Sequence, residues 1–363
     1  MKIRKAYLKS QKNHFDLQLL LTVATLCLFG LVMVYDGSVV EAYQDFGDSY
    51  FFARQQLIWL GLGTVVAFIL TNFSYLRLKP FSIIFLVGSF LMLLAVFIPG
   101  IGTKVSGASR WLSIGPVTIQ PVEAIKLSSI IWLSVVLENG PRLKILLGLI
   151  LLVGFITGFL QKDLGSTIIF VLSAASLFLV SGGSILQLVG TSILAVFAGF
   201  ILVITSEYRK NRLVAFFNPF SDPQGFTYHI SQVLIALGSG GLFGLGLGES
   251  RQKFYIPEVT TDSIFAIVGE ELGFIGALVL ILLFGFLIIR GFRIAQNAPD
   301  QFGKLLAAGL TSWLGIQAII NLSAMVAFLP LTGVPLPFIS YGGSALVANL
   351  AAVGILLNIS RKS

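Results

Sequence analysis

The chain has 363 residues, 56% of them hydrophobic and only 11% charged, with a mean hydropathy of +0.93. A soluble domain carries about 25% charged residues, so a water-exposed globule of this size is excluded, and apolar runs of roughly 18 residues point to helices that cross a bilayer. The net charge of +8 does not mark a nucleic-acid binder, because the basic residues are scattered among connections between apolar runs.

Those runs are continuous and lack the period-two alternation of a barrel wall, so the predicted fold class is all-α and polytopic. Ten transmembrane helices are predicted, at about 16–35, 52–71, 80–98, 122–138, 143–160, 164–180, 184–205, 263–290, 304–329 and 341–358. The first follows Lys2, Arg4, Lys5, Lys9 and Lys12 and has no small-residue cleavage site after it, so it reads as a retained signal anchor. An even number of spans puts both termini on one side. The excess of Lys and Arg makes that side cytoplasmic, with 14 of the 24 basic residues inside. The first outer loop is acidic (Asp36, Glu41, Asp45, Asp48).

Residues 1–363 are read as a single transmembrane domain with one long extracytoplasmic loop, 206–262, between helices 7 and 8. That loop, 99–121 and 330–340 are long or rich in helix breakers and share one side, which points to an outward-facing site. With one cysteine (Cys27) and two histidines (His14, His229), neither an internal disulfide nor a Cys/His metal cluster can be proposed.

The stretch YIPEVTTDSIFAIVGEELGFIG (255–276) runs polar residues straight into a long apolar helix and sets Asp262 at the mouth of the bundle. Asp262 admits two readings: a helix N-cap, or a partly desolvated general base with a raised pKa. Glu123 and Lys126 in PVEAIKL share a helix face. Charges inside a membrane segment are paired or face a cavity, so a structural ion pair and a cavity-lining pair both stay open.

Arg110 and Trp111 in SGASRWLSIG fit interfacial anchors. They fit equally a diphosphate grip beside an indole that packs on a sugar face. Asp163 opens the sixth span with the same capping alternative as Asp262. The run GSGGLFGLGLG (238–248) lacks the lysine–serine pair of a P-loop, and reads as close packing or a re-entrant turn. The series Pro330, Gly333, Pro335, Pro337, Gly342 and Gly343 breaks helix before the last span and is read as a cavity wall. His229 receives no role.

Four stretches together resemble the SEDS membrane proteins, the family of FtsW and RodA: IPEVTTDSIFAIVGEELGFIG (256–276), LTGVPLPFISYGGS (331–344), SRWLSIGPVTIQPVEAIKL (109–127) and KDLGS (162–166). The match holds in motif order over nearly the whole chain, and the lead-in GESRQKFYIPE (248–258) looks more like FtsW than RodA. The resemblance implies a ten-helix peptidoglycan glycosyltransferase in the bacterial cytoplasmic membrane. It would polymerise lipid II into glycan strands at the outer face, for cell division or elongation. The implied partners are a class B penicillin-binding protein (a transpeptidase) and other divisome or elongasome membrane proteins. The resemblance makes Asp262 the catalytic residue of the PE-x-x-TD motif. It places Arg110, Trp111, Glu123, Lys126 and Asp163 in or behind the central cavity. Two positions depart from the family pattern: Thr260 stands where histidine is usual and Lys162 where proline is usual.

The chemistry asks for a base, cations and a lipid-facing groove. Asp262 is the expected base. Arg110 and Lys126 are the expected partners of the departing diphosphate, with Arg251 and Lys253 behind them and Glu258 beside Asp262. One carboxylate suffices, because diphosphate leaves without a general acid, unlike the two-carboxylate hydrolases. A divalent cation (Mg or Mn) could bridge the diphosphate to Asp262 or Glu258, but the sequence does not demand one. Two other classes remain, a lipid II flippase and a non-catalytic scaffold for the transpeptidase. The outward gathering of charge and the short inner loops 72–79, 139–142 and 181–183 favour an enzyme.

Overall fold

The computed structural model describes residues 15–105, 108–115, 117–191, 199–200, 207–222 and 224–362. Helix α1 spans Leu17–Phe46. It is opened by Asp16, whose Oδ1 accepts from the Leu19 amide at 2.9 Å while Oδ2 takes two bonds from Arg290 at 3.1 and 2.5 Å. At about 1.5 Å per residue, its 30 residues exceed a bilayer core of about 30 Å. Asp36, Glu41 and Asp45 therefore ride on a helical extension of α1, not in the expected acidic loop.

Helix α2 (Phe51–Asn72) returns, and a 3₁₀ turn at Tyr75–Arg77 leads into α3 (Leu78–Ala95). Helices α4 (Pro121–Val136), α5 (Leu143–Gly154, continued by a π-helical turn at Phe155–Leu160) and α6 (Leu164–Val180) follow. Then come α7 (Glu207–Phe217), α8 (Tyr228–Ser239), α9 (Ile264–Asn297), α10 (Gln301–Met325) and α11 (Gly343–Ser360).

Among the described residues seven helical stretches are long and apolar enough to cross a membrane, and α6 is a shorter apolar helix. Helix α4 has 16 residues and carries two charges, Glu123 and Lys126. The predicted span 184–205 lies largely outside the described residues. The multi-pass helical architecture is therefore observed, and the count of ten is not.

Two expected loops hold regular structure. The 99–121 connection is a three-stranded antiparallel sheet of β1 (Gly102–Val105), β2 (Ala108–Ile114) and β3 (Val117–Ile119), a departure from an all-α chain. Thr103 pairs with Trp111 and Ser113 with Thr118. The 206–262 connection contains α7 and α8. The alternation in SRWLSI was the available strand signal, and it was obscured by the surrounding glycines.

Helix α10 forms the centre, buried along nearly its whole length and packed on α4, α6 and α9. Helices α2 and α11 pack closely along one flank. Gly30 of α1 is required by close approach, since a Cβ there would lie 2.6 Å from the Cα of Ile339. Gly273 breaks α9 with φ 64° and ψ −167°, a conformation that side-chain-bearing residues rarely adopt. The break frees backbone groups that the glycine run satisfies. The Leu245 and Gly246 amides donate to the Glu270 and Glu271 carbonyls, each at 3.0 Å, and the Phe274 amide donates to the Gly241 carbonyl at 2.9 Å. The run 238–248 is thus a close-packed turn against α9, as its composition suggested.

Candidate active site

A cavity of about 250 Å³ opens where the non-helical segments meet one end of the bundle. Strand β2 brings Arg110 and Trp111 to it, and the first turns of α4 bring Glu123 and Lys126. Asp163 enters from the start of α6, Arg212 from α7, and Glu258 and Asp262 from the turn before α9. The broken backbone at Gly333, Val334, Pro335 and Gly342 closes the opposite side, so the Pro/Gly series is a cavity wall.

Asp262 is 5% exposed. The N-cap of α9 is Ser263, without a side-chain capping bond, and the Asp262 carboxylate meets its own amide and, at 3.4 Å, the Thr261 hydroxyl, not the amides that open the helix. The geometry therefore does not make Asp262 a cap. The turn is held through its backbone instead. Asn321 Nδ2 donates to the Asp262 carbonyl at 2.8 Å and to the Val334 carbonyl at 2.7 Å, and the Tyr341 amide donates to the Thr260 carbonyl at 2.7 Å. Burial pushes the Asp262 carboxyl up to about 6, against the opposing pull of Arg212 and with a smaller push from Glu258. A carboxyl in that range is a useful base near neutral pH.

Asp163 is a cap. Its Oδ1 accepts from the Ser166 amide at 3.1 Å and its Oδ2 from the Ser166 hydroxyl at 2.8 Å. Arg110 is anchored through the Gln161 carbonyl at 3.3 Å and the Lys162 carbonyl at 2.7 Å. Lys162 has φ 57°, which a proline ring, locked at about −65°, cannot adopt. The carbonyl that orients Arg110 therefore sits in a turn that proline at this position would not permit.

Lys126 forms the ion pair with Glu123 that their spacing offered, and Gln317 joins it. Its ammonium meets Glu123 Oε1 at 2.8 Å and Gln317 Oε1 at 3.0 Å, 5.2 Å from the centre of the Trp313 ring. With both Glu123 and Lys126 buried, the pair is structural and cavity-lining at once. Lys253 is not brought to the cavity. It lines a separate polar hollow of about 280 Å³ beside α1, bonded to Asp36 at 3.0 Å and to the Gly248 carbonyl at 2.9 Å. Arg251 stands on that same segment, its amide bonded to Glu270 at 3.1 Å. Glu258, with φ 53°, lines both hollows and accepts from the Thr261 hydroxyl at 3.0 Å.

Sequence reasoning missed Arg212, His229, Gln317 and Asn321. Arg212 sits among Arg209 and Lys210, basic residues in a connection expected on the outer side, where they run against the topology rule, and that was its only signal. Gln317 and Asn321, four apart in an otherwise apolar span, lie on one helix face and could have been flagged as costly polar groups in lipid. His229 Nε2 lies 2.7 Å from the Ser263 hydroxyl, and burial and then Arg212 push its pKa down to about 4, so it is neutral where the base works.

An apolar groove of about 390 Å³ adjoins the cavity, walled by Leu164, Ile168, Leu172, Leu213 and Leu329. The two share Arg110, Asp163, Arg212 and Gly333. Among the described residues no three His, Cys, Asp or Glu side chains converge to hold a metal. Asp262 and Glu258 both line the cavity, where a divalent cation would need the oxygens of a diphosphate beside theirs.

The profile of the FtsW/RodA/SpoVE cell cycle proteins matches residues 17–363. The chain is 40% identical to stage V sporulation protein E of Bacillus subtilis over 98% of its own length and 99% of that protein. It is 39% identical to the probable peptidoglycan glycosyltransferase FtsW of Trichlorobacter lovleyi, over 96% and 93% respectively. Among solved structures, one described as the structural coordination of polymerization and crosslinking by a peptidoglycan synthase complex superposes with a TM-score of 0.80. Identity there is 28%, with 96% of this chain and 98% of that chain covered. The rod shape determining protein RodA of Thermus thermophilus gives a TM-score of 0.69 at the same identity, covering 96% and 97%.

Proposed function

This chain belongs to the FtsW/RodA/SpoVE family, and from that premise we propose that its outer cavity is where a peptidoglycan glycosyltransferase joins sugars carried on a lipid. The observation that carries the reading is a buried, non-capping carboxylate, Asp262, in one cavity with Arg110 and Arg212, opening onto an apolar groove.

The substrate is lipid II, with its polyprenyl tail in the groove and its diphosphate beneath the two arginines. The Asp262 carboxylate takes the proton from an acceptor sugar hydroxyl as that oxygen attacks the anomeric carbon. The bond from that carbon to the diphosphate breaks, and the electron pair leaves with the polyprenyl diphosphate. Arg110 and Arg212 stabilise the departing charge from positions already fixed in the cavity wall. Direct displacement inverts the anomeric centre.

The topology fits a ten-helix bundle in the bacterial cytoplasmic membrane with both termini inside, the site facing out, and a class B penicillin-binding protein as the crosslinking partner. The test is glycan formation by purified protein from lipid II, run beside movement of labelled lipid II across vesicles. Polymer without dependence on transbilayer movement supports the enzyme. Movement without polymer supports a flippase and sinks it.

A further inference from the structure

We infer that Glu123 is the sugar-reading residue of this cavity: its unpaired oxygen accepts a hydrogen bond from a hydroxyl or acetamide N–H of the saccharide. The inference rests on the glycosyl-transfer reading above and gives the site a direction.

Glu123 is 3% exposed and lines the cavity. Its Oε1 is taken by Lys126 at 2.8 Å, and its Oε2 is buried with no hydrogen-bond partner. Leaving a buried acceptor unmet is costly, more so for a charged group, so an oxygen like this fits a donor that arrives with a ligand. Lys126 cannot turn to serve a phosphate without abandoning partners on two elements. Gln317, which accepts from it, is itself fixed by the Trp313 indole N–H at 3.1 Å and by donating to the Pro335 carbonyl at 3.0 Å. Glu123 therefore lines the cavity with a carboxylate oxygen that still lacks a donor, and a carboxylate repels phosphate and accepts O–H and N–H.

Arg110 and Arg212 stand where the cavity joins the apolar groove, beside Asp163, whose carboxylate is taken up by Ser166. A lipid-linked sugar thus has one orientation that satisfies every group: tail in the groove, diphosphate at the two arginines, and neutral ring towards Glu123. On this reading the diphosphate lies at the arginines and not at Lys126.

The test is steady-state polymerisation by the purified full-length protein, comparing the parent with Glu123→Gln. The substrates are lipid II and analogues from which single hydroxyl or acetamide donors are removed, by deoxygenation or by ester-for-amide exchange. In Glu123→Gln the amide oxygen keeps the contact with Lys126 and an NH2 faces the sugar donor. The expected result is a KM rise of roughly 10- to 100-fold, the size of a lost bond to a charged group, with kcat changed only a few-fold. One analogue should cost the parent the same factor and cost Glu123→Gln nothing further.

If Glu123→Gln alone does not fold, the charge-neutral pair Glu123→Gln with Lys126→Met replaces it, with the same expected outcome. A KM within twofold of the parent overturns the inference, and so does a rise that every analogue compounds equally, which is the mark of a merely structural role. Full polymerisation by Asp262→Asn would instead overturn the transfer reading itself, so the two failures are distinguishable.

Discussion

Asn321, buried in the central helix, donates to the backbone carbonyl of Asp262 at 2.8 Å and with its second proton to that of Val334 at 2.7 Å. One amide thus fixes the turn that carries the proposed base to the wall opposite it. The position of Asp262 is thus tied to the bundle core as well as to the turn's own bonds.

Replacing Asn321 by leucine removes both bonds and leaves two carbonyls unmet. A loss of about 2–4 kcal/mol of stability is expected, from about 1–2 kcal/mol for each orphaned group. Turnover should fall by more than tenfold, because the base moves relative to the arginines. Thermal melting and polymerisation rate of the purified variant check both. A variant that melts like the parent and polymerises at its rate contradicts this role.

The raised carboxyl of Asp262 gives the reaction an acid limb. The base must be ionised, so kcat/KM should fall about tenfold per pH unit below about 6. Arg212 pulls that value down, so Arg212→Gln should move the limb to higher pH. A pH–rate profile of the parent and that variant decides it. A limb that stays in place means another group titrates.

Stability responds with the opposite sign. The folded protein holds the Asp262 proton more tightly than the unfolded chain, whose carboxyl titrates near the ordinary 3.8. Stability from this group is full below that value and declines as pH rises towards about 6. At pH 7–8 Asp262→Asn should therefore be at least as heat-stable as the parent, and that advantage should vanish near pH 4. Melting curves across that range check the sign.

Gly333 has φ 71°, and a Cβ on it would lie 3.7 Å from both Arg212 Nη1 and Asp262 Oδ2. Gly333→Ala should cost roughly 1–2 kcal/mol from the left-handed backbone. It should also raise KM, since the methyl group projects between the two charged groups where substrate enters. An unchanged KM would place substrate elsewhere in the cavity.

How far the sequence reached can be judged residue by residue. Asp262, Arg110, Trp111, Glu123, Lys126 and Asp163 were each legible as charges or aromatics at helix or strand ends, and they do share one cavity. Capping could not be told from catalysis at Asp262 and Asp163, because both stand just before a helix in the same way. Only geometry showed that Asp163 bonds the amide ahead of it and Asp262 does not. Lys253 was misplaced because a flexible lysine in a long connection carries no positional signal, and Asp36 on a helix read as loop was its partner. Arg212 lay in a stretch read as irregular, so its arrival at the cavity depended on a helix, α7, that composition alone did not announce. The sporulation relatives were also not anticipated, since the quoted motifs were weighed only between FtsW and RodA.

The most direct trial of the account is the yield of glycan polymer from lipid II by purified Asp262→Asn beside the parent protein, at pH 7.5 and equal amounts of folded protein. The account expects no polymer from a variant that melts at or above the parent's temperature. Polymer above a tenth of the parent's yield would remove Asp262 from the chemistry and contradict the account.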